Sequence, residues 1–240
     1  MPARYSMSAV VPAYNEQLRL EAAVLRTMIT MQTLGLDYEV IVVDDGSADL
    51  TSQIAGRLAA EHPQVQFMAH ASNQGLGGAF KTGLSRASKE YVILVPVDSP
   101  LDVSDLQAYL PRLSVCDIVV GVRSERRGYT ALGRFMSFVY NRILVPLLFN
   151  LGLADVNWIQ VYRRELFTTR ILSFHNLRMF YLVEILVQAR RNGLIVAEVP
   201  SPMKKRLHGR ASNTRPSVII RTLWDMFSFF WRQRNQKYLS

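Results

Sequence analysis

The chain has a single cysteine, Cys116, among 240 residues, so it can build neither an internal disulfide framework nor a cysteine metal cluster. A reducing compartment fits that scarcity. Long apolar runs are also missing. The longest uncharged apolar stretch lies between Ile143 and Ala154, short of the ~20 residues a helix needs to cross a bilayer. No signal-peptide-like segment precedes Val10, Val11 and Pro12. The expectation is a cytoplasmic protein that does not span a membrane by itself. Acidic residues are scarce: 19 Asp and Glu stand against 28 Lys and Arg, and the formal charge of +9 points to an anionic partner. Two phosphate-binding signatures are missing too. No G-x-G-x-x-G follows the first apolar run and no G-x-x-x-x-G-K-[ST] occurs anywhere, which argues against dinucleotide-dependent dehydrogenases and P-loop enzymes. The four histidines show no ligand spacing, and no His-Asp-Ser arrangement is evident.

What is present is apolar residue, at 49%, enough for one well-cored domain. Short β-branched runs alternate with longer helical patterns. Met7–Val11, Tyr38–Val43, Val65–Ala69 and Tyr91–Val95 read as strands, and Glu21–Leu34 and Leu50–Glu61 as helices. That rhythm predicts an α/β fold, a mostly parallel sheet flanked by helices. A further strand is expected at Asp117–Val122, an apolar helical region at Leu132–Leu153 and a helix at Tyr181–Asn192. Ligands of such sheets bind beyond the strands' carboxyl ends. Tyr14-Asn15-Glu16, Asp44-Asp45-Gly46-Ser47 and Asp98 fall at three of those ends.

Four segments occur in order: VVPAYNE, VVDDGSAD, NQGLGGAFKTGL and VPVDSPLD. Together they resemble glycosyltransferase family 2, and GVRSERRG, DVNWIQVYRREL, AEVP and RLHGRAS extend the likeness toward its dolichyl-phosphate mannose synthase-like, polyprenyl-phosphate branch. The resemblance, which runs to about Asn213, implies the GT-A fold, with residues 1–115 forming a nucleotide-sugar half and 116–215 an acceptor half; residues 216–240 read from their composition as an amphipathic tail. The resemblance also implies transfer of a hexose from a UDP- or GDP-sugar to polyprenyl phosphate, with inversion. Pro12, Tyr14, Glu16 and Asp44 are then donor contacts, Asp98 holds metal and diphosphate, and Arg123 and Arg206 meet phosphates. Asn15 and Asp45 belong to the same donor segments. Gln160 and Arg210 fall in segments placed near the acceptor. The implied metal is Mg²⁺ or Mn²⁺. Where the family pattern has three metal-side residues, however, this chain has Pro96, Asp98 and Pro100, with Ser99 or Asp102 as substitutes.

Residue chemistry points the same way. A carboxylate such as Asp44 can accept from a base N–H, although a turn Asp can equally cap its own loop, and Asp45-Gly46-Ser47 reads as turn chemistry. Asn73, Gly75, Gly77 and Gly78 open a helix carrying Lys81, where small residues let a donor approach and a helix N-terminus favours anions. Glu184, in an apolar helix, is either a base or a paired buried acid. An acceptor with a sugar hydroxyl, which needs a carboxylate base, stays open. No RNA- or DNA-binding motif supports a nucleic-acid partner. Trp224, Phe227, Phe230 and Trp231 interleave with Arg221, Arg232, Arg234 and Lys237, predicting an interfacial helix on an anionic membrane's inner face; the alternative is an aromatic face packed on the catalytic domain or on a partner subunit, such as a separate membrane protein.

Overall fold

The computed structural model describes residues 5–99, 102–123, 131–201 and 216–236. The apolar, β-branched runs form strands β1 (Ser6–Ala13), β2 (Asp37–Asp44), β3 (Val65–Ala69), β4 (Tyr91–Leu94), β5 (Ile118–Arg123), β6 (Gln160–Arg163) and β7 (Val196–Ser201). They make one seven-stranded sheet in the order β3-β2-β1-β4-β6-β5-β7. β6 runs antiparallel to both of its neighbours, while the other pairings are parallel. The first three strands step outward in one direction, and β4 returns to the other side of β1. Such a reversal opens a crevice at the carboxyl ends of β1 and β4.

Helices cover both faces, as the two-sided apolar strands require. Alternation along the strands sends Met7, Ala9, Val11, Val40 and Val42 to a core under α1 (Leu20–Thr33), α2 (Thr51–Glu61) and α4 (Val103–Leu113). The intervening Val10, Ile41 and Val43 meet α3 (Leu76–Arg86) and α8 (Tyr181–Arg191). The expected helical region at 132–153 is α5 (Ala131–Val139), a π-helical stretch at Tyr140–Leu144, and α6 (Val145–Phe149). Its widening falls just before Pro146, which has no N–H to continue the ladder. There the buried Asn141 donates to the Ser137 carbonyl and accepts from Val156 N–H. A four-residue helix, α7 (Glu165–Thr168), follows β6.

The C-terminal tail is a helix, α9 (Pro216–Gln236), and it has two apolar faces. Met226 and Phe229 are buried, with the Phe229 ring 5.8 Å from Phe149 and 5.5 Å from Phe180. Burying each such side chain stabilises by roughly 1.5–3 kcal/mol, so this face docks the helix on the domain. Ile220, Trp224, Phe227 and Trp231, which recur at helical spacing on the other side, are exposed. Phe135, Phe138, Ile143 and Leu147 are exposed on the α5–α6 run. No helix among the described residues is long and apolar enough to cross a membrane.

Candidate active site

Beyond the ends of β1 and β2, two loops are sewn together by short polar side chains. Asn15 sits in the left-handed region at φ 54°, which its side chain tolerates, and accepts from Ala48 N–H at 2.9 Å. Its own N–H donates to Ser47 Oγ, that of Glu16 to Thr51 Oγ1, and that of Gln17 to Asp49. Tyr14 stands 50% exposed at the lip, beside the partly buried Pro12. Asp44 is buried at the strand end. One carboxylate oxygen accepts from Ser47 N–H and Oγ, and the other from Ser52 Oγ. Asp44 is thus engaged in its own turn while buried rather than solvated, and a donor base would share a carboxylate already braced by two hydroxyls.

Asp45 does more than turn chemistry. Its Oδ1 accepts from Gln74 N–H and pairs with His70 Nδ1 at 2.7 Å, and its Oδ2 accepts from Gly75 N–H. His70 Nε2 lies 2.8 Å from Thr82 Oγ1 on α3, so the buried imidazole ties the glycine-rich loop to the helix that follows it. Gly46 is required on both counts. Its φ is +77°, and a Cβ there would lie 2.7 Å from the Ser72 carbonyl carbon.

The glycine-rich loop corrects one expectation. The backbone that Gly75 and Gly77 admit is that of Leu177: a Cβ on Gly75 would sit 2.5 Å from the Leu177 carbonyl oxygen, and one on Gly77 2.6 Å from that of Asn176. Leu177 O also accepts from the N–H groups of Gly77 and Gly78, so part of the N-terminus of α3 is capped by protein. Asn73 and Lys81 are exposed beside this contact. Glu184, 2% exposed, secures the capping segment from below by accepting from the N–H groups of His175 and Asn176. Its role is that of a paired buried acid.

Asp98 follows β4 and is partly buried. Its charge reaches Glu16, whose carboxyl is raised above the ordinary carboxylate range, first by burial; Arg19, 2.7 Å away, pulls it down, and Asp98 and Asp49 push it further up. Two carboxylates that repel each other at a strand end suit a cation. Among the described residues no cluster of three or more His, Cys, Asp or Glu could hold a metal. One or two carboxylates can bind Mg²⁺ or Mn²⁺ together with substrate phosphates, and Glu16 and Asp98 offer such a pair. Asp102 is no ready substitute, because its carboxylate caps α4 through Asp105 N–H at 3.1 Å. Pro96 is partly buried, and Pro100 lies outside the described residues.

On the other half, Arg123 makes a bidentate pair with Asp155, Nε to Oδ2 at 2.6 Å and Nη2 to Oδ1 at 2.8 Å. The pair is buried, 7% and 1% exposed, and the guanidinium lies 5.1 Å from the Trp158 ring centre. A fork so engaged places Arg123 as a brace rather than as an open phosphate hook. Gln160 is likewise buried, its amide donating to Val156 O and accepting from Tyr162 O–H. At 2% exposure, with each end of its amide engaged, it does not lie on an open surface. Arg206 and Arg210 lie outside the described residues. Sequence reasoning missed the anchoring work of His70 and Asp155, whose partners Asp45 and Arg123 are 25 and 32 residues away, whereas the buried-acid alternative for Glu184 matches its bonds in the fold. The Asp-Asp-Gly-Ser run was the one local signal for such chemistry.

Comparison with known proteins agrees with this architecture. The sequence profile described as glycosyl transferase family 2 matches residues 8–170, more than half of the chain. A dolichyl-phosphate beta-glucosyltransferase of Trichomonas vaginalis is 28% identical over 213 residues, covering 83% of this chain and 66% of that protein. A glycosyltransferase of Haloferax volcanii is 29% identical over 239 residues, covering 92% of this chain and 37% of the relative. The chain thus spans less than two thirds of either relative's length. The crystal structure of glucosyl-3-phosphoglycerate synthase from Mycobacterium tuberculosis, in complex with Mn²⁺, UDP-glucose and phosphoglyceric acid, superposes with a TM-score of 0.72 at 20% identity, covering 95% of this chain and 80% of that one. That likeness gives the GT-A fold, and with the profile match over the first six strands the chain belongs to glycosyl transferase family 2.

Proposed function

We propose that this glycosyltransferase moves a hexose from a UDP- or GDP-sugar to a polyprenyl phosphate at an anionic membrane surface, with inversion and with help from Mg²⁺ or Mn²⁺. The observation that carries the reading is that the adjacent carboxyl ends of β1, β2 and β4 are followed by or carry Tyr14, Glu16, Asp44 and Asp98, with the Asp98 charge felt at Glu16. Tyr14, Pro12 and Asp44 are assigned to the nucleoside, Asn15, Asn73 and Lys81 to the rim of the donor site. Asp45, Gly75 and Gly77 fix that rim. Asp98 and Glu16 are the residues that would hold a divalent cation, which supplies charge neutralisation at the leaving diphosphate.

The fate of Glu184 favours a phosphate acceptor over a sugar hydroxyl. A hydroxyl needs a base, and this acid is spent on two backbone N–H groups. A phosphate monoester, with a second pKa near ~6, is already anionic at neutral pH. The names of the Trichomonas relatives, dolichyl-phosphate beta-glucosyltransferases, support the same class. Arg206 and Arg210 are proposed as phosphate contacts, with Arg123 holding the acceptor half in shape. The proposed location is peripheral, at the cytoplasmic face; the exposed apolar stripe of α9 supports the peripheral contact, directly on lipid or through a membrane-protein partner.

The test is a transfer assay in which UDP-glucose and GDP-mannose are each offered with farnesyl phosphate, with and without EDTA. The expected product is a metal-dependent glycosyl phosphate of inverted anomeric configuration. No product on farnesyl phosphate, with transfer instead to the hydroxyls of a glycan acceptor offered in a parallel reaction, would sink the proposal.

A further inference from the structure

The segment that precedes α8 is held more firmly than a connecting loop needs. Glu184 takes the N–H groups of His175 and Asn176, Asn176 Oδ1 takes that of Arg178 at 2.9 Å, and Leu177 O caps α3. On this fixed turn His175 is exposed, and Arg178 reaches toward α9, where Asp225 Oδ1 is 3.7 Å from its Nη1. That distance is an ion pair without a tight hydrogen bond. Arg232 follows Asp225 by seven residues, two helical turns, and so shares its face of α9. His175, Arg178 and Arg232 line a cleft of about 320 Å³, together with Gln74, Asn176 and Leu177.

We infer that this cleft is a phosphate subsite, an inference that rests on the function proposed above for which phosphate occupies it. Arg232 from α9 faces Arg178 and His175 from the turn before α8 across this cleft, while Asp225 pairs with Arg178 and Glu184 lies 3.4 Å from His175 Nδ1. Guanidinium forks suit phosphate oxygens. The volume lies at the lower end of the range for ligand sites, room for a phosphate and the first atoms of its substituent. Because the loop is braced before any ligand arrives, little ordering is needed on binding.

Its position connects the two ends of the reaction. Gln74 gives its N–H to Asp45 at the end of β2, so the cleft adjoins the donor crevice. Trp231, neighbour of Arg232, belongs to the exposed stripe of α9, so the cleft also adjoins the surface proposed to meet lipid. The phosphate can therefore be that of the lipid acceptor or the diphosphate of the donor.

Binding of farnesyl phosphate, farnesol and UDP is measured by calorimetry on the full chain and on two charge reversals, Arg232→Glu and Arg191→Glu. Arg191 is exposed on α8 and lines a different cleft, so it controls for net charge. Arg232→Glu is expected to weaken either farnesyl phosphate or UDP by about tenfold or more beyond the control. Loss for farnesyl phosphate assigns the subsite to the acceptor, and loss for UDP assigns it to the donor. Equal affinities in both variants for both ligands would overturn the inference. Binding is read without turnover, so a chain that fails to glycosylate farnesyl phosphate yet loses its binding in Arg232→Glu keeps the subsite and loses the proposed reaction.

Discussion

The donor crevice and the surface formed by α5, α6 and α9 are built on opposite plans. In the crevice, short side chains such as Asn15, Ser47, Thr51 and Asp45 bond to backbone N–H groups or offer theirs to partners 29 to 35 residues away. Every loop is fixed by another loop. On the helical surface, long aromatic and basic side chains point outward from α9 while Met226 and Phe229 fasten it from behind. The first plan pre-organises a site for a small, charged ligand. The second leaves an apolar area available for something large. A region whose polar groups are mutually satisfied reads as a site frame, and one whose apolar groups are left uncovered reads as a contact surface.

The contrast is most easily broken at Asp98. Asp98→Asn is expected to lower transfer by about 10²–10³ or more, because it removes a carboxylate that would hold the cation set against the leaving diphosphate, while the melting temperature stays near that of the parent. The same substitution removes one of the charges that raise the Glu16 carboxyl, so Glu16 should titrate at lower pH by NMR. Parental turnover would take Asp98 out of the mechanism. Next in size is Arg123→Met, which leaves the buried Asp155 carboxylate uncompensated and should cost about 3–5 kcal/mol in denaturant unfolding. The double variant with Asp155→Leu should recover much of that loss. A destabilised single variant rescued by its partner marks a brace; a stable one that has lost acceptor binding would restore Arg123 as a phosphate contact.

Asp45→Ala sits lower on the scale, with an expected loss of about 1–3 kcal/mol. It orphans the N–H groups of Gln74 and Gly75 and releases His70. The functional sign should be a raised KM for the nucleotide sugar with a smaller change in kcat, since the loop that positions the donor is loosened. Equal KM values for parent and variant would separate the loop from donor binding.

How far the sequence carried depended on whether a signal was local. The β-branched runs gave β1 through β5 within one or two residues, because their two-sided apolar character is independent of what packs on them. The strand β6 was not foreseen: it is four residues long, follows the polar Asp155–Asn157 run and enters the sheet antiparallel. Asp44, Asp98 and the glycines were visible as chemistry at strand ends. Which groups they meet was not, since Gly75 faces Leu177 and Asp45 faces His70 only once the chain has closed. The same holds for Gln160, polar in sequence and buried in the fold with each end of its amide bonded.

The smallest expected effect on the folded protein lies in the α9 stripe, and it decides whether that surface meets lipid. Removing the tail at Arg215 would be a poor test, because it also takes Met226 and Phe229 out of the core. Trp224 and Trp231, 73% and 58% exposed, can be changed without touching that packing. Trp224→Gln with Trp231→Gln should alter stability by no more than about 0.5 kcal/mol per site, as surface substitutions usually do. Binding to anionic vesicles, read by co-sedimentation, should nevertheless fall about tenfold, because interfacial attachment scales with buried apolar area. Arg221 and Arg234 on the same helix contribute about 1 kcal/mol each near an anionic surface, and that part is screened by salt. Raising the ionic strength should therefore weaken the parent and the Trp variant by similar factors, leaving the gap between them intact. If the double variant pellets with anionic vesicles as the parent does, the stripe faces a protein partner instead, and the contact surface belongs to a complex rather than to the bilayer.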